Sequence, residues 1–228
     1  MLRTTTSSFE WSMLALSLLV VGVYELYATR KRRAQPLQFA RTAHAHIRAN
    51  WARAVRAKAG NEVLVVQTLR NSVMAASISA STAVLAFVAL VTQLARPGER
   101  VASVEGVASV EGVALDLHGV LIILLMVMLF GAFVLSAMAV RFFNHAGYIL
   151  ATPLSHAAGE ALTEVGARYV ARAGHLYSLS LRSFLVAAPF VVGLASASVM
   201  PIAAIALVAV LVWYDQPPPM HSPEQAER

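Results

Sequence analysis

Four long apolar stretches alternate with basic or polar segments along the chain, at Trp11–Tyr27, Ser72–Leu94, Leu117–Val140 and Ser183–Trp213. The first three are each close to the roughly 20 residues that a helix needs to cross a hydrocarbon core of about 30 Å. The last is too long for one straight span. Pro189 and Pro201 interrupt it, with Ser196 and Ser198 between them. The pattern predicts an interfacial lead-in followed by a kinked span over 190–213. A short re-entrant hairpin is the alternative, disfavoured because backbone that turns within lipid leaves polar groups unsatisfied.

Between the first two stretches the period changes. Phe39, Ala43, Ile47, Trp51 and Val55 recur every four residues along one broad arc, with Arg41, Arg48, Arg53 and Arg56 on the opposite arc and Gly60 as a stop. A basic amphipathic helix over 37–59, lying on the membrane surface with anionic lipid as its partner, is the expectation. The fold class is therefore all-α: a polytopic helical membrane bundle with about four transmembrane helices, at 11–28, 72–94, 117–140 and 190–213, and a disordered polar tail over 216–228.

Composition agrees with this pattern. With 58% hydrophobic and 13% charged residues, and a mean hydropathy of +0.65, the balance is that of a chain that meets lipid. The distribution of charge adds orientation. Segments 30–70 and 141–182 hold 14 of the 18 lysines and arginines, which places both in the cytoplasm and both termini on the outer side. Strong positive charge follows the first apolar stretch, at Arg30-Lys31-Arg32-Arg33, so that stretch reads as a retained span and not as a cleaved signal. The near-exclusive use of arginine over lysine suggests a GC-rich bacterium, hence a bacterial inner membrane. Residues 101–112 are a tandem Val-Ala-Ser-Val-Glu-Gly repeat, too short for a solenoid and readable as replication slippage in a tolerant loop.

Chemistry is sparse. The chain has no cysteine, and its seven histidines show neither a His-Glu-x-x-His pattern nor a clean i, i+4 pair within a span, so no metal or haem cofactor is expected. Nucleophile elbows, Walker loops and dinucleotide fingerprints are missing, as is any soluble basic domain that would read nucleic acid. An enzyme is not expected. Glu25, the one acidic residue well inside an apolar run, is expected to pair with an arginine.

What remains is a set of polar residues at the predicted cytoplasmic ends of the spans. Gln67, Arg70 and Asn71 share a helix face before the second span, Arg141, Asn144 and His145 repeat that spacing after the third, and Arg182 precedes the fourth. If those spans bundle, the cluster is rich in donors, and arginine forks suit phosphate or carboxylate. An anion or acidic lipid headgroup would complete it, as in a small channel or transporter-like homo-oligomer. The same residues are also what the positive-inside rule places there, or what ties helix ends together. A structural or accessory subunit of a larger membrane complex is the competing reading. The small-residue ridges Ser72/Ala76/Ala80 and Ala132/Ser136 serve packing within a chain or between chains equally well.

Three of these segments resemble a family. Gln67-Thr-Leu-Arg-Asn-Ser-Val-Met-Ala-Ala-Ser77, Arg141-Phe-Phe-Asn-His-Ala-Gly147 and Arg182-x-Phe-x-x-Ala-Ala-Pro189 are similar to the signatures of an uncharacterised integral membrane family, domain of unknown function 599. The likeness runs from about Trp11 to Asp215 but lacks the Trp and Gly-Pro that often follow the last motif. It implies a multi-span membrane protein without an established activity, with recurrent residues on the arginine–asparagine cluster.

Overall fold

The computed structural model describes residues 2–34, 40–58, 60–94, 116–152 and 159–216. The tandem repeat and nearly all of the tail lie outside these residues, as does Phe39. Every described element is an α-helix: α1 (Leu2–Ala34), α2 (Ala40–Arg56), α3 (Glu62–Leu94), α4 (Leu117–Ala151), α5 (Gly159–Ala195) and α6 (Met200–Tyr214). Four of them, Ser8–Ala34 of α1 together with α3, α4 and α5, are long and apolar enough to cross a membrane.

Helices α3, α4 and α5 form an antiparallel row whose register is fixed by small and aromatic residues. Ala76 and Ala83 of α3 are fully buried, as are Ala132 and Ala139 of α4, and Phe87 meets Phe130 at 6.3 Å between ring centroids. Between α4 and α5, Ser136 and Ser180 share a buried 2.6 Å hydrogen bond, and Ser180 also donates to the Ala132 carbonyl. Lipid offers no hydrophobic drive for helix association, so close backbone approach and buried hydroxyl bonds hold such faces together. The small-residue ridges are thus used within the chain. At 35 residues, α4 is about 50 Å long, and its last turns pass well beyond its apolar run.

That extension is where α2 docks. It runs antiparallel to the first half of α5, with Ala52 and Val55 joining Val65, Leu69, Phe143, Leu150, Ala167 and Val170 in one core cluster. Two of its arginines, Arg53 and Arg56, bond to the chain itself. Arg53 makes a two-pronged pair with Glu164 at 2.7 and 3.0 Å. Arg56 is buried and donates to Thr163 Oγ1 and to the Ile149 carbonyl. The last turn of a helix leaves carbonyls unsatisfied, and Arg56 supplies a donor to the Ile149 carbonyl where α4 ends, which is why it turns inward.

The final apolar stretch is a hairpin, not one kinked span over 190–213. Helix α5 continues through Pro189 to Ala195, the chain turns over 196–199, and α6 starts with Pro201 in its first turn, where a missing N–H costs nothing. Phe9 and Glu10 of α1, Asp116 and His118 at the start of α4, and Ser196–Ser198 share one cavity at this turn end. Helix α6 then returns against α1, burying Ala204, Leu207 and Leu211 with Val21, Tyr24 and Ala28. Asp215 accepts a backbone hydrogen bond from Ala40. The start of α1 and the end of α6 therefore lie at opposite ends of the bundle, where one common side was expected.

Glycines test this packing. A Cβ on Gly166 would lie 2.5 Å from Leu150 Cδ2 and 2.8 Å from its Cγ, whereas one on Gly131 meets nothing within 4 Å. We expect Gly166→Val to cost about 1–3 kcal/mol through overpacking, and Gly131→Ala to be neutral or slightly stabilising through helix propensity. Melting temperatures of the two purified variants in detergent check the contrast.

Candidate functional site

The seven polar residues expected to converge divide into separate places. Arg70 on α3 and Asn144 on α4 line one open groove of about 450 Å³, together with Val66, Leu69, Val73 and Phe143, and with Tyr148 and Thr152 further along α4. Antiparallel packing of α3 on α4 brings the two polar residues to the same level. Gln67, one turn before Arg70, borders with Arg70 and Glu62 a smaller neighbouring depression of about 260 Å³. Among the described residues, Arg70, Asn144 and Gln67 have no internal hydrogen-bond or ion-pair partner. Asn71 and Arg141 are exposed nearby without lining either space. His145 turns the other way, its ring edge-on to Tyr169 of α5 at 6.1 Å.

Arg182 belongs to a different centre. Arg172 sits over the Phe142 ring at 4.9 Å, which sets the level of Arg141 on α5. Arg182 lies ten residues further on, about 15 Å along the helix axis. Ser180, bonded to Ser136 and Ala132, confirms that this level is inside the apolar run of α4. A lone guanidinium there would be very costly, and the chain surrounds it. Nε donates to Glu25 Oε1 at 2.7 Å, Nη1 donates to both carboxylate oxygens of Asp215 at 2.9 and 3.2 Å, and Tyr24 donates its hydroxyl to Asp215 Oδ2 at 2.8 Å. The Tyr24 ring also lies 5.7 Å from the guanidinium carbon. Three helices are joined here: α1 through Tyr24 and Glu25, α5 through Arg182, and the end of α6 through Asp215.

Glu25 thus finds the arginine that its position calls for. Asp215 and Tyr24 were not singled out from the sequence, because Asp215 reads as the ordinary polar end of an apolar run. One signal was available. The arms 183–195 and 200–214 are of similar length, so a hairpin folded at Ser196–Ser198 returns Asp215 to the level of Arg182.

No group of three or more histidine, aspartate or glutamate residues among those described could hold a metal ion. The arrangement is that of a polytopic helical membrane protein with a buried structural ion cluster and a separate open groove carrying unpartnered donors. Within that class the chain belongs to the family described as a protein of unknown function, DUF599, whose model matches residues 12–218. No curated protein and no solved structure matches the chain.

The ion cluster makes a stability prediction. Arg182→Ala leaves Asp215 buried without its cation and is expected to cost about 3–5 kcal/mol. Arg182→Ala combined with Asp215→Ala should recover part of that loss, because no unpaired Asp215 charge then stays buried. A double-mutant cycle on thermal unfolding in detergent measures the coupling.

Proposed function

We propose that this protein binds the phosphate of an anionic lipid headgroup, or a comparable small anion, in the groove between α3 and α4. The observation that carries the reading is the juxtaposition of Arg70 and Asn144 over apolar walls, both without a partner among the described residues. A guanidinium supplies a two-pronged donor to a phosphate, the asparagine amide adds a third, and the valine, leucine and phenylalanine lining suits the start of an acyl chain. This groove opens beside the level where the apolar run of α4 ends, which is the depth of lipid phosphates. The reading assigns no catalytic step. A transport role would need several copies of the chain, since one bundle of this size is thin for a pore.

Native mass spectrometry of the chain extracted gently with its lipids tests the idea. Retained anionic lipid that falls at least tenfold in occupancy in Arg70→Ala, and more modestly in Asn144→Ala, supports it. Unchanged lipid retention in both variants rejects it. A co-purifying foreign subunit at fixed stoichiometry would instead make the chain an accessory subunit.

We further propose that the basic end faces the cytoplasm of a bacterial inner membrane, since that orientation follows the positive-inside rule. It places the start of α1 outside and the end of α6 inside. The chain has no cysteine, so single cysteines report cleanly: in intact cells a membrane-impermeant maleimide should label Ser8→Cys and spare Gln216→Cys. Equal labelling of the two would rule this topology out.

A further inference from the structure

The space between α3 and α4 does not end at Arg70 and Asn144. Glu62 stands eight residues before Arg70 on α3, and Thr152 eight residues after Asn144 on α4. Each wall therefore runs about 12 Å beyond its donor. The two helices are antiparallel, and a Cβ on Gly147 would touch Leu69 Cδ1 at 3.9 Å. Both extensions thus point the same way, away from the apolar runs that start at Ser72 and end at Val140. Tyr148 and Thr152 continue the lining of the groove. Val66 and Arg70 also belong to the adjoining depression of about 260 Å³, which Glu62 and Gln67 complete.

The chemistry changes along this length. Arg70 and Asn144 offer donors. Farther out the side chains offer acceptors: the Glu62 carboxylate, the Gln67 amide oxygen, and the oxygen of Thr152, whose hydroxyl donates to the Tyr148 carbonyl. Among the described residues, Glu62 has no hydrogen-bond or ion-pair partner. A ligand that fits both parts carries a phosphate and, beyond it, hydrogen-bond donors. A carboxylate has two acceptor oxygens and no donor, which suits hydroxyls, as when an acidic side chain takes a ribose hydroxyl. It repels a second phosphate or a doubly charged one. The basic character of this end, with 14 of the 18 lysines and arginines in segments 30–70 and 141–182, favours a lipid of net negative charge. A neutral diol beyond the phosphate therefore fits better than an ammonium.

We propose that the groove selects an anionic phospholipid whose headgroup ends in a vicinal diol, with its phosphate on Arg70 and Asn144 and its hydroxyls on Glu62 and Gln67. The proposal rests on the phosphate reading of the groove and adds which headgroup the phosphate carries. Phosphatidylglycerol has this chemistry. Phosphatidic acid lacks the hydroxyls, and cardiolipin brings a second phosphate towards Glu62.

The test is native mass spectrometry of the full chain in a neutral detergent. An equimolar mixture of phosphatidylglycerol, phosphatidic acid, cardiolipin and phosphatidylethanolamine is added. Phosphatidylglycerol should be retained about tenfold over each of the others, the scale of hydrogen bonds to a charged group. Glu62→Ala should abolish that preference while lipid is still retained, because Arg70 and Asn144 continue to hold phosphate. Glu62→Gln, which keeps the size and removes the charge, should admit phosphatidic acid and cardiolipin. Arg70→Ala should lose every lipid. If Arg70→Ala retains lipid unchanged, the phosphate reading fails and this proposal with it. If Arg70→Ala loses lipid but the preference is missing from the parent chain or persists in Glu62→Ala, only the headgroup assignment is overturned. A preference for phosphatidylethanolamine would give Glu62 to an ammonium and overturn the diol. Glu62 also stands in the first turn of α3, where an acid favours the helix dipole. That role alone would lower the melting temperature of both Glu62 variants and leave the lipid ratios unchanged, which again overturns the proposal.

Discussion

A guanidinium placed in the apolar part of a helical bundle must find anionic acceptors, and much of this molecule follows from how Arg182 does so. Its partners come from helices that are far apart in the chain, Glu25 on α1 and Asp215 at the end of α6. Tyr24 then donates to Asp215, which fixes the carboxylate that fixes the arginine. Because α6 must end at this level, it can run only from the turn after Ala195 to Tyr214. At 15 residues, or about 22 Å, it is too short to cross a full hydrocarbon core. The ion cluster therefore decides both the length of α6 and the end of the bundle at which the chain emerges.

The same logic separates two kinds of arginine. Arg53, Arg56 and Arg182 have acceptors within the chain and hold helices together: α2 to α5, α2 to the end of α4, and α5 to α6 and α1. Among the described residues, Arg70 and Arg48 have none. The first borders an open apolar groove and the second is pressed against Gly174. An arginine with internal acceptors stabilises the fold, whereas one without them that borders open space, as Arg70 does, is available to an anion that arrives from outside. The functional reading rests on this difference between satisfied and unsatisfied donors, and not on the abundance of positive charge.

Much of the architecture is legible in the residues alone. Stretches of about 20 apolar residues require helices in lipid, because no other local structure satisfies its own backbone there. This places α1, α3 and α4, and the three motifs at Gln67, Arg141 and Arg182 suffice for the family resemblance, which the match over residues 12–218 bears out. The groove was half legible: the spacing of Arg70 and Asn144 marks each as lying at the end of a span. That the two share a groove while His145 turns to Tyr169 depends on how α4 is rotated between α3 and α5.

Sequence by itself determined what is local: helix period, apolar length and the bias of charge toward two segments. Tertiary structure decided what depends on pairing across distance. Nothing within a few residues of Asp215 reveals Arg182, 33 positions away in the chain, so one kinked span and a hairpin look alike until the ion pair is formed. Nothing on α2 alone shows whether its arginines face water or the open carbonyls of α4. In both cases the deciding energy is the cost of leaving a buried charge or backbone group unsatisfied, a quantity set by neighbours that only the fold brings together.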